Sequence, residues 1–238
     1  MLSRFAKFGI KKLDESLGGG LERNSLNLIS GKTGTGKTIL ALTWLAEGAK
    51  NGEKCTFIST TMETDRIKNY MKRIIGNKVN KITFRDFTPE PKELMPINEE
   101  VIKELFDKKL RVEGKINRLV IDSISTFERV LLDQSMIRKF FYILSRQLAE
   151  NKCTSIFVEE ARKASSPIWD ETRNICESFI ELTTLPTRTK LVRALRIVKR
   201  YGVSHPLEWL PFEITNKGVK LLNGRYIERN EDVIFIRK

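Results

Sequence analysis

Hydrophobic positions change period along this chain, and the changes divide it into a region of alternating strands and helices and a strand-rich region. Leu26-Asn27-Leu28-Ile29-Ser30 predicts a short buried strand. From Thr38 to Lys50, Ile39, Leu42, Leu45, Ala46 and Ala49 recur at helical spacing, and Asn51-Gly52 ends the helix. Lys54 to Thr60 reads as a second strand, and Thr64-Asp65 opens a helix running to about Ile75. Ile82-Thr83-Phe84 is a short strand, Pro89, Pro91 and Pro96 break the chain, and Asn98 caps a helix ending near Leu110. Ile116 to Ile121 is again a strand. Ser135 to Glu150 is an amphipathic helix that buries Phe140, Phe141, Leu144 and Leu148. Thr154 to Val158 is a strand ending in Glu159-Glu160. Beyond it the period falls to two, and Phe179 to Leu182, Leu191 to Val198, Phe212 to Ile214, Val219 to Leu222 and Val233 to Ile236 read as a meander.

This order predicts an α/β fold: a doubly wound, mostly parallel sheet extended by C-terminal antiparallel strands. No Pro/Gly/Ser-rich linker, repeat or low-complexity run interrupts the 238 residues, so residues 1–238 are expected to form a single domain. The longest uncharged apolar runs are too short to span a bilayer, and Met1-Leu2-Ser3-Arg4-Phe5 lacks a signal-peptide core. Cys55, Cys153 and Cys176 have no C-x-x-C spacing, which argues against a metal or disulfide framework and for a reducing, cytoplasmic setting.

Chemistry concentrates where the first strand meets the first long helix. Gly31-Lys32-Thr33-Gly34-Thr35-Gly36-Lys37-Thr38 matches the G-x-x-x-x-G-K-[ST] phosphate-binding loop. The glycines let successive backbone N–H groups turn inward on an anion. Lys37 is spaced to reach the terminal phosphates of a nucleotide, and the Thr38 hydroxyl to ligate Mg²⁺. A strand before the loop and a helix after it complete the anion site. The strand over Ile116 to Ile121 ends in Asp122-Ser123, and a carboxylate at such a tip holds the Mg²⁺ shell. A plain helix cap is the simpler role for such an aspartate, but behind a phosphate loop the metal role takes precedence.

Charge adds less. The net charge of +13 fits a nucleic acid or an acidic partner, and equally a lysine-rich solubilising surface. Abundant charges of both signs are a habit of proteins from hot environments.

The whole pattern resembles KaiC-like and RadA-like ATPases of the RecA superfamily, of the archaeal RadA paralogue type with a single RecA domain. The resemblance is carried by Phe8-Gly9-Ile10, Leu13-Asp14 and Leu17-Gly18-Gly19-Gly20-Leu21 ahead of the phosphate loop. Near the C-terminus it is carried by Leu195-Arg196-Ile197-Val198-Lys199, Gly202-Val203-Ser204-His205 and Pro211-Phe212-Glu213-Ile214-Thr215. It implies a RecA-like P-loop fold, ATP and Mg²⁺ as cofactors, and a ring or filament holding ATP between neighbouring subunits. It also places the Gly18–Gly20 turn near the nucleotide-bearing face; by itself the run marks only a tight turn or a close backbone approach.

Two departures from that family stand out. The family carries a Glu-Glu pair at the tip of the strand after the phosphate-loop helix, and one of those glutamates positions the attacking water. Aligned without a gap, those places hold Thr61 and Met62, with Glu63 one residue on. Neither Thr nor Met takes a proton from water at neutral pH. Glu63 is therefore the candidate catalytic residue if the strand tip bulges; otherwise it only favours the start of the next helix. The family's Lys-x-Arg, which reaches the neighbour's γ-phosphate, appears as Lys199-Arg200-Tyr201. Lys199 keeps the lysine place, while Arg200 points to the other face unless the strand twists. A solvated basic edge is the alternative role for this stretch.

Glu159 and Glu160 end the strand expected beside the phosphate-loop strand, where a polar group of this superfamily senses the γ-phosphate; ordinary ion pairs are the other role open to them. Two loops face a partner in the family's ring centre: one holds Thr126, Phe127, Glu128 and Arg129, the other Arg162, Lys163, Pro167, Trp169 and Arg173. A basic loop with one aromatic suits single-stranded DNA through stacking and phosphate contact. The expected function is an ATP-binding protein with weak or conditional ATPase activity, an accessory factor in DNA recombination or repair. The alternative is a nucleotide-gated regulatory protein acting on protein partners without DNA.

Overall fold

A computed structural model gives the structure of the protein, and it describes residues 3–88, 98, 100, 116–129, 131, 134–161, 172–186, 190–222, 226–230 and 233–237. In chain order, β1 (Phe5–Ala6), α1 (Lys11–Ser16) and β2 (Leu21–Glu22) precede β3 (Leu26–Gly31) and α2 (Lys37–Lys50). Next come β4 (Cys55–Ser59), α3 (Thr64–Ile75), a 3-10 turn (Gly76–Lys81), β5 (Ile82–Asp86) and β6 (Arg118–Asp122). A second 3-10 turn (Ile124–Arg129) leads to α4 (Gln134–Glu150), followed by β7 (Thr154–Glu160), β8 (Ser178–Pro186) and β9 (Leu191–Arg200). The described chain ends with β10 (Leu210–Thr215), β11 (Gly218–Leu221), β12 (Tyr226–Asn230) and β13 (Val233–Arg237).

One nine-stranded sheet organises these elements in the order β11-β10-β9-β8-β3-β7-β6-β4-β5. From β8 through β5 every pairing is parallel, whereas β8–β9, β9–β10 and β10–β11 are antiparallel. The expected parallel core with an antiparallel C-terminal extension is what the chain adopts. Strand alternation sorts the sheet's side chains onto two cores. Ile29, Phe57, Val120, Ile156 and Val158 join Leu40, Trp44, Leu45, Ile67 and Met71 of α2 and α3 on one face. Leu28, Ile58, Leu119, Ile121 and Phe157 join Ile137, Phe140, Phe141, Leu144 and Leu148 of α4 on the other. A parallel sheet covered on both faces favours strands rich in apolar residues; β3 and β4 are each buried along their whole length, the few polar side chains among them (Asn27, Ser30, Thr56 and Ser59) included.

Several strands outrun the apolar runs that predict them. β5 continues to Asp86, β8 to Pro186 and β9 to Arg200, because ladder partners on a neighbouring strand hold polar residues extended. The two-residue strands β1 and β2, the short α1 and the polar β12 carry no periodic signal and escaped the sequence reading. The helix expected from Asn98 to Leu110 and the prolines at 89, 91 and 96 lie outside the described residues, apart from 98 and 100. Among the described residues no helix is long and apolar enough to cross a membrane.

The N-terminal segment is strapped onto the back of α2. The Trp44 indole donates to the Ala6 carbonyl at 3.1 Å, and the Phe8 and Gly9 N–H groups donate to the Asp14 carboxylate. Arg118, buried in β6, donates to the Lys7 and Trp44 carbonyls, both at 2.7 Å, and to the Glu53 carboxylate. The Gly18–Gly20 turn closes on this strap: a Cβ on Gly19 would lie 2.7 Å from the Phe5 ring, at a φ of 118° that already disfavours any other residue. The turn serves that packing and forms no wall of the phosphate-loop cavity.

Candidate functional site

The site forms where the C-terminal ends of β3, β4, β6 and β7 line up. Register sets the alignment: Ser59 pairs with Asp122, Asp122 with Val158, and Gly31 with Glu160. The loop after β3 curls over this edge and starts α2 at Gly36, whose φ of 105° requires glycine. The first-turn N–H groups of α2 have no acceptor within the helix, and its dipole adds positive potential at the same point. A cavity of about 440 Å³ opens there, walled by Thr33, Lys37, Thr38, Thr61, Asp122 and Glu160 among others. That is within the usual size range of ligand sites.

Inside the cavity the predicted groups meet. The Thr38 hydroxyl donates to Asp122 Oδ2 at 2.6 Å, across 84 residues of sequence. The Lys37 ammonium donates to the Lys32 carbonyl at 3.0 Å, and that carbonyl also receives the Thr35 hydroxyl at 2.8 Å. Thr35 is therefore a buried brace of the loop, while Thr33 is exposed and donates to Glu160. The tip of β6 is held by Thr60, whose hydroxyl donates to the Ser123 carbonyl at 2.8 Å and receives the Ser123 N–H at 2.9 Å. Withdrawal from water pushes the Asp122 carboxyl up, against the Thr38 hydrogen bond and the Lys37 charge. Withdrawal from water likewise lowers Lys37, opposed by the Asp122, Glu160 and Glu159 carboxylates. Both groups are charges kept partly dry beside one another, which suits a site that receives a phosphate and a metal together.

Thr38 and Asp122 offer hard oxygen donors, and among the described residues no cluster of three or more His, Cys, Asp or Glu side chains is poised for a metal. Such a sparse set fits Mg²⁺, which is bound through one or two carboxylates plus substrate phosphates and water.

Other sequence-predicted residues fall elsewhere. Thr61 reaches the cavity wall; the Glu63 side chain is 78% exposed and pairs with Arg66 at 3.4 Å. Glu63 makes no cap hydrogen bond either, since the start of α3 is capped by Asp86, which receives the Thr64 N–H and hydroxyl. Lys199 pairs with Phe179, which pairs with Leu28, so it sits three strand positions, about 10 Å, from the Gly31 end of the sheet. Its ammonium donates to the Arg173 and Asn174 carbonyls. No local twist recruits Arg200: it is buried and donates to the Leu17 and Gly20 carbonyls, tying β9 to the N-terminal strap. Of the residues assigned to DNA, Arg173 has its guanidinium 4.8 Å over the Phe179 ring, and Arg162, Lys163 and Trp169 lie outside the described residues.

Some cavity residues were beyond sequence reasoning. Ile214 of β10 and Ser125 both line the cavity, the Ser125 hydroxyl accepting the Glu160 N–H at 3.0 Å, and beside it Arg193 of β9 donates to the Gly34 carbonyl at 3.3 Å. Each arrives through sheet pairing or a 3-10 turn, and no local motif announces it.

Comparison with known proteins agrees with this geometry. The family model described as the KaiC ATPase matches residues 6–226. A UPF0273 protein of Thermotoga maritima is 29% identical over 228 residues, spanning 90% of this chain and 93% of its own length. The circadian clock protein KaiC3 of Synechocystis is 26% identical over 90% of this chain, which covers 42% of that protein. The crystal structure of a KaiC-like protein from Pyrococcus horikoshii superposes with a TM-score of 0.74 at 27% identity, over 92% of this chain and 99% of that one.

Proposed function

The chain belongs to the KaiC ATPase family, and from that premise we propose that it binds Mg·ATP in the cavity over α2 and hydrolyses it weakly or conditionally. The observation that carries this reading is the 2.6 Å bond between Thr38 and Asp122 in the same cavity as Lys37. In this reading Gly31, Thr33, Gly34, Thr35, Gly36 and Lys37 form the phosphate cradle, and Thr38 and Asp122 hold Mg²⁺. The metal, when bound, neutralises phosphate charge as the terminal bond breaks. Weak turnover is supported by Thr61, which stands in the cavity wall where family members carry a carboxylate.

Lys199 lies too far from its own phosphate loop to serve it, so any catalytic part falls on a neighbouring subunit's nucleotide, in a ring or filament. For the output, binding of single-stranded DNA in recombination or repair rests on the net charge of +13 and the basic residues at 162, 163 and 173. A second reading, a nucleotide-gated switch acting on a protein partner without DNA, stands beside it, because the Arg173 guanidinium is already stacked on Phe179.

Titration calorimetry with Mg·ATP tests the core of this proposal. The wild type binds, and Lys37→Ala loses binding while unfolding at an unchanged temperature, because Lys37 contributes charge to phosphate and little to packing. Equal affinity in the two proteins would refute it.

A further inference from the structure

The carboxylate expected at the tip of β4 is missing, yet the cavity does not lack a second acid. Two carboxylates line it among the described residues, Asp122 and Glu160. Asp122 is committed to Thr38. Glu160 sits at the tip of β7, directly opposite Gly31 in the ladder, exposed to the cavity and joined to the Thr33 hydroxyl on the outer arm of the phosphate loop. Its backbone is fixed from behind, since its N–H donates to the Ser125 hydroxyl at 3.0 Å. Strand geometry therefore holds the group in place, and a loop movement is not needed to bring it in. Glu63, by contrast, points to solvent and to Arg66.

We propose that Glu160 takes over the work of the absent carboxylate at position 61: it orients the attacking water at the terminal phosphate and accepts its proton. This rests on the nucleotide reading of the cavity. In the step, the water oxygen forms a bond to the terminal phosphorus, and the bond from that phosphorus to the bridging oxygen breaks with its electrons left on the diphosphate. One water proton passes to the Glu160 carboxylate and then to solvent, and the other stays on the released phosphate. Glu160 also adds a negative charge beside the terminal phosphate, so it disfavours the triphosphate more than the diphosphate while it is ionised. Thr33, by holding the carboxylate against the loop, is a positioning residue.

Two readouts on Glu160→Gln test the assignment, an isosteric change at an exposed strand tip. Turnover falls about 10²-fold or more, the usual share of a positioned general base. Calorimetry with a non-hydrolysable Mg·ATP analogue and with Mg·ADP shows the preference for the triphosphate rising several-fold, since a like charge has gone. Thr33→Val gives a smaller loss of turnover and shifts its pH profile. Unchanged turnover in Glu160→Gln overturns the proposal, as does loss of turnover in Glu63→Gln with Glu160→Gln unaffected. A wild type that binds Mg·ATP without hydrolysing it also overturns it. A wild type that binds neither nucleotide in the calorimeter refutes the cavity's nucleotide reading itself, which separates the two failures.

Discussion

Glu53→Gln strikes a buried ionic cluster that ties the N-terminal strap to α2 and β6. Glu53 is buried to 3% exposure between two guanidinium groups: Arg118 donates to it at 2.8 and 2.9 Å, and Arg23 at 2.9 Å on one of its two bonds. Burial alone would push its carboxyl up, but the Arg23 and Arg118 hydrogen bonds and charges prevail and bring it down to about 2 from 4.5. A carboxyl moved that far contributes roughly 3–4 kcal/mol to folding at neutral pH, in keeping with the 3–5 kcal/mol typical of breaking a buried pair. For a domain of this size the melting temperature should fall by about 7–14 °C.

The sign of the pH dependence follows from the depressed carboxyl. The stabilisation is full above 4.5 and is lost as pH drops toward 2, so at pH 3 less than half of the gap, roughly 1 kcal/mol, should remain between wild type and variant. Circular dichroism melts at pH 7 and pH 3 measure both gaps. Nucleotide affinity, read at 25 °C, should stay within about twofold, because Glu53 does not touch the phosphate-loop cavity. A gap below about 2 °C at pH 7, or one that fails to narrow at pH 3, would refute the reasoning.

Two further outcomes test the site and its output. Asp122→Asn should abolish the part of ATP affinity that depends on Mg²⁺ while leaving metal-free nucleotide binding in place, measured by calorimetry with and without chelator; equal Mg²⁺ dependence would remove Asp122 from the metal shell. If single-stranded DNA is the partner, its binding should weaken steeply with salt, and Arg162→Ala with Lys163→Ala should flatten the anisotropy-derived salt slope by about two phosphate contacts; no binding at low salt with Mg·ATP present would favour the protein-partner switch.

Sequence alone carried the parts of this protein that are local. The phosphate loop is legible because eight consecutive residues supply the glycines, the lysine and the threonine that a phosphate cradle needs, and backbone conformation there depends on those residues themselves. The parallel core is legible because strands buried on both faces are dominated by apolar residues, as Leu26, Leu28 and Ile29 and the run Leu119 to Ile121 show. Asp122 could be named from its place at a strand tip, although its bond to Thr38 is a matter of the fold.

Tertiary structure decided what depends on register and pairing. That Glu160 stands opposite Gly31, inside the cavity, follows from how β7 pairs with β3, and a slip of one residue would have turned it away. Strand alternation turns Arg200 and Lys199 to opposite faces, but that Arg200 meets the N-terminal strap and Lys199 the Arg173 carbonyl depends on what the fold packs against each face of β9. Nothing in the residues around Glu53, which follows the Asn51-Gly52 turn, marks it out, and only the convergence of Arg23 and Arg118 from far along the chain makes it a buried counter-ion. Local chemistry is written in neighbouring residues; partnerships between distant charges exist only once the sheet has set them a few ångströms apart.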